Sequence, residues 1–379
     1  MHIVVVGSGV FGVWTAHHLL EAGFDVTMVD AYGSANSRAS SGDESRIIRC
    51  GYGADEIYTR WALESLSEWQ RVFDRIGRDQ LPLFHPSGVL WLSSGDDAYV
   101  RATQATLKRV GAPVTILDRT ELGRRFPHID ASDIDVALLE PTCGVLMARR
   151  AVQTLAADLQ RRGAQLVRER VLMRRLNDRF SEVRFESGDG LHADQFVFAC
   201  GPWLPKLFPE LLGGRIRPTR QVVVYFGTPD LRFGPETTPA WVDFAAGIYG
   251  VPDLEHRGVK VGIDRHGPPI DPDTADRIAD RESVDMARAW LRRRMPALAD
   301  APVVESRVCQ YENTATGDFL IDRHPDLENV WIAGGGSGHG FKHGPAVGRY
   351  VAGLIRGDVR GEPRFALAGK GTTPQRSVY

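Results

Sequence analysis

The feature that most narrows the fold is a short one. The β-branched run His2-Ile3-Val4-Val5-Val6 stops at Gly7-Ser8-Gly9-Val10-Phe11-Gly12. Such a run forms a strand buried on both faces, which implies a parallel sheet. Beyond the glycines, Val13, Ala16, Leu19 and Leu20 recur at helical spacing until Gly23, and Asp25 to Asp30 reads as a second strand. This is the context that GxGxxG requires of a dinucleotide site. Gly7 permits the tight turn, Gly9 lets the backbone approach a pyrophosphate, and Gly12 lets helix and strand pack closely. Ser8, Val10 and Phe11 complete the set at the helix N-terminus, whose N–H groups suit an anion. Asp30 is placed to accept hydrogen bonds from a ribose. This segment does not separate NAD from FAD.

With 379 residues, 43% of them hydrophobic, the chain has the material for two domains. A formal net charge of -2 offers no field for nucleic acid or an anionic membrane. Four scattered cysteines with no CxxC pair argue against a disulfide framework or a zinc site and fit a cytoplasmic protein. No apolar run approaches the roughly 20 residues needed to span a bilayer. Helices are predicted over 56–76, 149–162 and around 284–295, with strands near 164–171, 183–185, 196–199 and 330–333 and a helix over 345–355. The predicted fold is α/β: a Rossmann-type nucleotide domain (1–80, 146–215 and 306–363) interleaved with an antiparallel-sheet substrate domain (81–145 and 216–305). Residues 364–379 read as a tail.

Four further segments, taken together, resemble the monomeric sarcosine oxidase family, within the D-amino-acid-oxidase-like flavoproteins. They are Gly42-Asp43-Glu44-Ser45-Arg46-Ile47-Ile48-Arg49; Ala199-Cys200-Gly201-Pro202-Trp203; Cys309-Gln310-Tyr311-Glu312-Asn313 with Asp318 to Asp322; and Gly335-Gly336-Ser337-Gly338-His339-Gly340-Phe341-Lys342. The likeness spans most of the chain and implies FAD. It places a thioether to the flavin at Cys309 and adds Ser41, Arg46, Val171, Gly201, Trp203, Gly335, Gly338, His339, Gly340, Phe341 and Lys342 to the cofactor set.

The resemblance also assigns chemistry. Arg49 and Lys342 would bind a substrate carboxylate, for which a guanidinium fork is suited. Two cations would also favour the neutral amine that hydride loss requires. Lys260 maps onto an oxygen-activating lysine, where an ammonium stabilises developing negative charge. Tyr249 and Tyr311 would line the substrate pocket. Asp264 falls where the family has an active-site histidine, and Ser40 and Ser41 replace a histidine pair, which points away from sarcosine itself. The reading is an oxidase of a secondary or cyclic amino acid, using molecular oxygen and working as a monomer. The alternatives are a flavin dehydrogenase serving another acceptor and a dinucleotide-binding protein without catalysis.

Overall fold

The computed structural model describes residues 1–77, 81–95, 97–172 and 180–375. Its first sheet has six strands in the order Leu320–Arg323, Val330–Gly334, Gln195–Phe198, His2–Val6, Asp25–Val29 and Gln165–Val167. Neighbours run parallel except at Leu320–Arg323, which is antiparallel to Val330–Gly334. Alternate residues of His2–Val6 enter different cores. Ile3 and Val5 pack with Val13, Trp14 and Ala16 of helix Val10–Glu21, whereas Val4 and Val6 join Phe180, Val183 and Phe196. This two-sided burial explains why the strand is apolar throughout.

The second sheet has eight strands, in the order Val303–Thr314, Ile216–Phe226, Val259–Ile263, Ile248–Val251, Ala240–Asp243, Val89–Ser93, Val136–Glu140 and Thr115–Asp118. It is antiparallel apart from the pair Ala240–Asp243 and Val89–Ser93. Helix Arg281–Arg294 packs on it, with Trp290 stacked on Trp241 at 5.3 Å. The molecule therefore has the mixed α/β class expected of it. Strand Val303–Thr314 runs through the expected border at 305/306, because its pairing with Ile216–Phe226 is continuous from Ile216↔Thr314 to Val224↔Ser306.

The start of the expected tail is packed instead. Phe365 is fully buried against Trp61 and Phe319, and Arg364 bridges Asp55 and Asp318 at 2.8 and 2.7 Å. One aromatic residue in a short Pro363–Phe365 turn carries this docking, so the segment lacked the periodic apolar pattern that marks a core element. The expected borders at residues 80 and 379 lie outside the described residues.

Helices Val10–Glu21 and Gly344–Arg356 cross at glycines. A Cβ on Gly348 would sit 2.4 Å from the Trp14 backbone, and one on Gly344 would sit 2.5 Å from the Trp14 ring. Neither helix backbone can yield locally, so Gly348→Ala is expected to force the helices apart and cost about 1–3 kcal/mol in urea unfolding. An unchanged midpoint would show that the crossing is loose.

Candidate active site

A cleft of about 1370 Å³, counting its open mouth, runs between the two sheets. Its floor is the glycine turn. Gly7 has φ +97°, and a Cβ there would meet the Ala199 carbonyl at 2.4 Å; a Cβ on Gly12 would fall 1.8 Å from the Gly7 oxygen. Gly12 therefore serves packing, while Gly7, Gly9, Val10 and Phe11 line the cleft. Asp30 also lines it, and its carboxylate accepts the amides of Ser8 (2.8 Å), Tyr32 and Gly33 (both 2.9 Å). Ser8 thus braces Asp30 and is not itself on the cleft wall. Ser41 Oγ accepts the Val10 amide at 3.0 Å. No acidic side chain occupies the first turn of the helix, so its positive end is left for an anion.

The cleft continues past Val171, Gly201 and Trp203 to Cys309 and Tyr311, with Gly338, Gly340 and Phe341 on the facing wall. Trp203 Nε1 donates to Asp273 at 2.8 Å, and Lys206 reaches Asp271 and Asp273 at 2.7 Å, tying the second sheet's loop across one end. Gly335 and His339 lie behind the loop. Gly335 is held at φ +70° against Thr314; His339 stacks on Phe319 at 4.7 Å and hydrogen-bonds the Gly317 carbonyl at 3.0 Å.

Two cations meet beside Cys309. Arg46 donates to Asp43 (2.5 Å), to the carbonyls of Ser45 and Ser40 (2.8 and 2.7 Å), and to Cys309 Sγ (3.2 Å). Burial opposes its charge, but the Cys309 sulfur and Asp43 outweigh burial and raise its pKa. Lys260, almost fully buried, donates to the same Asp43 oxygen at 2.5 Å and to the Ser45 carbonyl at 2.9 Å. Burial pulls the Lys260 pKa down while Asp43 resists. For Asp43, burial is outweighed by Lys260 and Arg46, which hold its carboxyl well below the usual range.

Further along the same segment, Arg49 is buried in a box of Tyr52, Trp91 and Phe244, 4.7, 5.1 and 5.5 Å from their ring centres, and donates to the Gly51 carbonyl. Lys342 donates to Tyr52 OH at 2.8 Å and to the His339 carbonyl at 3.1 Å. Burial, then Arg49, pushes the Lys342 pKa well down. Asp264 accepts the Tyr311 hydroxyl at 2.8 Å; burial raises its pKa, opposed by Tyr311, Arg49 and Lys342. Tyr249 lies over Gly262, where a Cβ would come within 2.3 Å of its ring, and 6.0 Å from Lys260 Nζ.

Four residues without a role at the sequence level complete the site. Asp43 joins Lys260 to Arg46. Tyr52 OH gathers Lys342, His343 (2.8 Å) and His339 (3.1 Å). Glu140 accepts the Cys50 amide at 2.6 Å and Trp91 Nε1 at 2.8 Å, anchoring the chain just after Arg49. Glu312 lines the cleft, with one oxygen on the Gly336 amide (3.2 Å) and the other buried near the Gly335 amide without a close hydrogen-bond partner among the described residues. Asp43 and Glu312 stand inside quoted motifs, which is the one signal that marked them. The glycine floor, a helix end with no acidic residue in its first turn and the volume of the cleft fit a dinucleotide such as FAD, with Asp30, Arg46 and Cys309 all on its wall.

The sequence pattern of FAD dependent oxidoreductases matches residues 2–354. The chain is 31% identical over 354 residues to a monomeric sarcosine oxidase of a Bacillus species, covering 91% of this chain and 90% of that protein. It is 29% identical over 353 residues to the N-methyl-L-tryptophan oxidase of Salmonella arizonae, covering 91% and 92%. Among solved structures, L-proline dehydrogenase from P. horikoshii superposes with a TM-score of 0.84 at 24% identity, covering 97% of this chain and 96% of that one. The likeness to sarcosine oxidases read from the four motifs thus extends along the chain.

Burial pushes the Glu312 carboxyl from its ordinary 4.5 up to about 7. A folded pKa above the unfolded one favours the fold while the group is protonated; the contribution is complete below about 4.5 and is lost as pH rises through about 7. Glu312→Gln mimics the protonated form. Its stability advantage over the parent chain is expected to widen by up to about 3 kcal/mol between acidic and mildly alkaline pH, measured by urea denaturation across that range. Parallel pH curves for the two proteins would contradict it.

Proposed function

The chain belongs to the FAD dependent oxidoreductase family and is an FAD-dependent amine oxidoreductase; from that premise we propose that it oxidises a secondary or cyclic amino acid to an imine and passes the electrons to oxygen, giving hydrogen peroxide. The observation that carries the substrate class is the pair Arg49 and Lys342. Both are buried, yet the hydrogen bonds they donate end on neutral oxygens: the Gly51 and His339 carbonyls and the Tyr52 hydroxyl. A carboxylate brought to them gains charge-assisted hydrogen bonds that no neutral ligand supplies. Their positive potential also favours the uncharged form of the neighbouring amine.

FAD supplies the hydride acceptor and the route of the electrons to oxygen. The chain's part is to hold it, to orient the amine and to stabilise charge. Gly7 to Phe11 and Asp30 hold the nucleotide end, and Cys309 is the proposed point of a thioether, with Arg46 against its sulfur. Lys260 is the proposed oxygen-side cation, since a fixed ammonium stabilises negative charge arising on oxygen. Tyr249, Tyr311 and Asp264 shape the substrate side. Asp264 has displaced a histidine of the resembling family, and a carboxylate in a part-buried pocket favours a substrate with a second polar or cationic group. The enzyme would work as a cytoplasmic monomer; among the described residues no helix is long and apolar enough to cross a membrane.

Spectroscopy and kinetics test this reading. Purified protein is expected to be yellow, to keep its colour on the polypeptide after acid precipitation unless Cys309 is replaced by Ala, and to release peroxide with some member of a panel of N-methyl and imino acids. A colourless protein unable to take up flavin would sink the proposal, whereas acid-released flavin would sink only the thioether. Separately, Asp264→Ala is expected to shift kcat/KM away from cationic and towards neutral amino acids by about tenfold. An unchanged preference would remove Asp264 from the specificity account.

A further inference from the structure

One carboxylate in this site binds groups from three separate stretches of chain. Asp43 Oδ2 lies 2.5 Å from both Lys260 Nζ and Arg46 NH1, while Oδ1 accepts the Tyr225 hydroxyl at 3.0 Å and the Glu44 amide at 2.8 Å. All the acceptor sites of a carboxylate are thereby used. Asp43 itself is buried, with Arg307 3.7 Å from Oδ1 as an outer cation.

We propose that Asp43 is a positioning residue for the oxygen half of the reaction: its single carboxylate fixes Lys260 and Arg46 side by side, Arg46 on the wall of the cofactor cleft against the Cys309 sulfur and Lys260 in an adjoining small cavity with Ser45 and Tyr225. This rests on the oxidase reading above. The three N–H groups of Lys260 point to Asp43 Oδ2, the Ser45 carbonyl and, at 3.4 Å, Ser45 Oγ. A lysine rooted in the eight-stranded sheet is therefore oriented wholly by the 43–45 loop. Arg46 follows directly as the first residue of strand Arg46–Ile48, with the Ser40 carbonyl and Cys309 accepting from its second nitrogen. Without Asp43, two buried cations would face each other. The guanidinium stays charged whatever its surroundings, so Lys260 is the one that discharges.

The other groups facing Lys260 do not replace Asp43. Arg46 repels it, the rings of Tyr225 and Tyr249 lie 5.9 and 6.0 Å away, and the Cys309 sulfur favours its charge less than Asp43 does. Glu44 and Glu305 are engaged by Arg307 and Arg257 on the outer side. Reduction of oxygen takes two electrons and two protons and yields hydrogen peroxide. The first electron places negative charge on oxygen, and that charge needs a cation already in place.

The test uses Asp43→Asn, which keeps the shape and removes the charge. The intact yellow protein is bleached without air, either by an amine substrate or by dithionite, and its recolouring in air is followed across pH. Recolouring is expected to slow about tenfold or more, and by a clearly larger factor than bleaching by the amine. The alkaline fall of the recolouring rate should move to lower pH, Lys260→Met should abolish that fall, and Asp43→Glu should restore much of the parent behaviour. A displaced Arg46 should also shift the visible absorption bands of the oxidised protein. Recolouring unchanged in rate and pH profile would overturn the proposal, as would bleaching and recolouring falling together. If Asp43→Asn does not fold, Asp43→Ser, which also removes the charge, is expected to move the alkaline fall the same way, and no movement there would overturn it. Slow recolouring of the parent protein itself would refute the oxidase reading instead.

Discussion

The pairing of Ile216–Phe226 with Val303–Thr314 is the interaction on which the rest of the molecule depends. An isolated two-stranded ribbon is marginal in water, and this one gains its stability from what flanks it: Val222, Val224, Phe226 and Val308 pack into the core beneath the eight-stranded sheet. Its register sets Cys309 opposite Gln221 and Tyr311 opposite Thr219. A sulfur, a phenol and the Glu312 carboxyl are thereby carried to the cleft on one rigid element. A one-residue slip would turn Cys309 and Tyr311 to the opposite face.

Charge is concentrated in the buried surroundings of the cleft, with Arg46 alone of the following five residues on its wall. Asp43, Lys260, Arg46, Arg49 and Lys342 all have ionisation shifted by burial set against a neighbour. Buried charges of this kind seldom repay their desolvation as stability. Under the proposed function they form a prepared electrostatic field, with Arg49 and Lys342 set for a carboxylate and Lys260 for the oxygen side.

Much of this was legible in the sequence, for definite reasons. The strand, glycine turn and helix at the start are local, and helix Glu56–Ile76 has the predicted limits because its apolar stripe is regular. Arg46 and Arg49 stood out within one motif. What the motif did not reveal is that they part company. Three positions apart along extended chain, they leave on opposite sides, one to Cys309 and one into the box of Tyr52, Trp91 and Phe244. Asp43, Tyr52 and Glu140 were not assigned because their partners lie far along the chain: Asp43 meets Lys260, Tyr52 meets Lys342, and Glu140 meets Cys50. No periodicity encodes such pairings. The docking of Phe365 escaped for a related reason, since one aromatic residue makes no pattern.

The order of strands in the six-stranded sheet has a consequence for how the protein comes into being. His2–Val6 lies in the middle, between Asp25–Val29 and Gln195–Phe198, and the latter pairs in turn with Val330–Gly334. On a ribosome this strand emerges well over a hundred residues before Gln195–Phe198, its second neighbour, and longer still before Val330–Gly334, the strand beyond. Long-range parallel pairing of this sort is slow, and until it closes the glycine turn has no opposite wall. Seating of the nucleotide therefore has to await those later strands, and a nascent chain terminated before them would carry the nucleotide motif without a place to seat it.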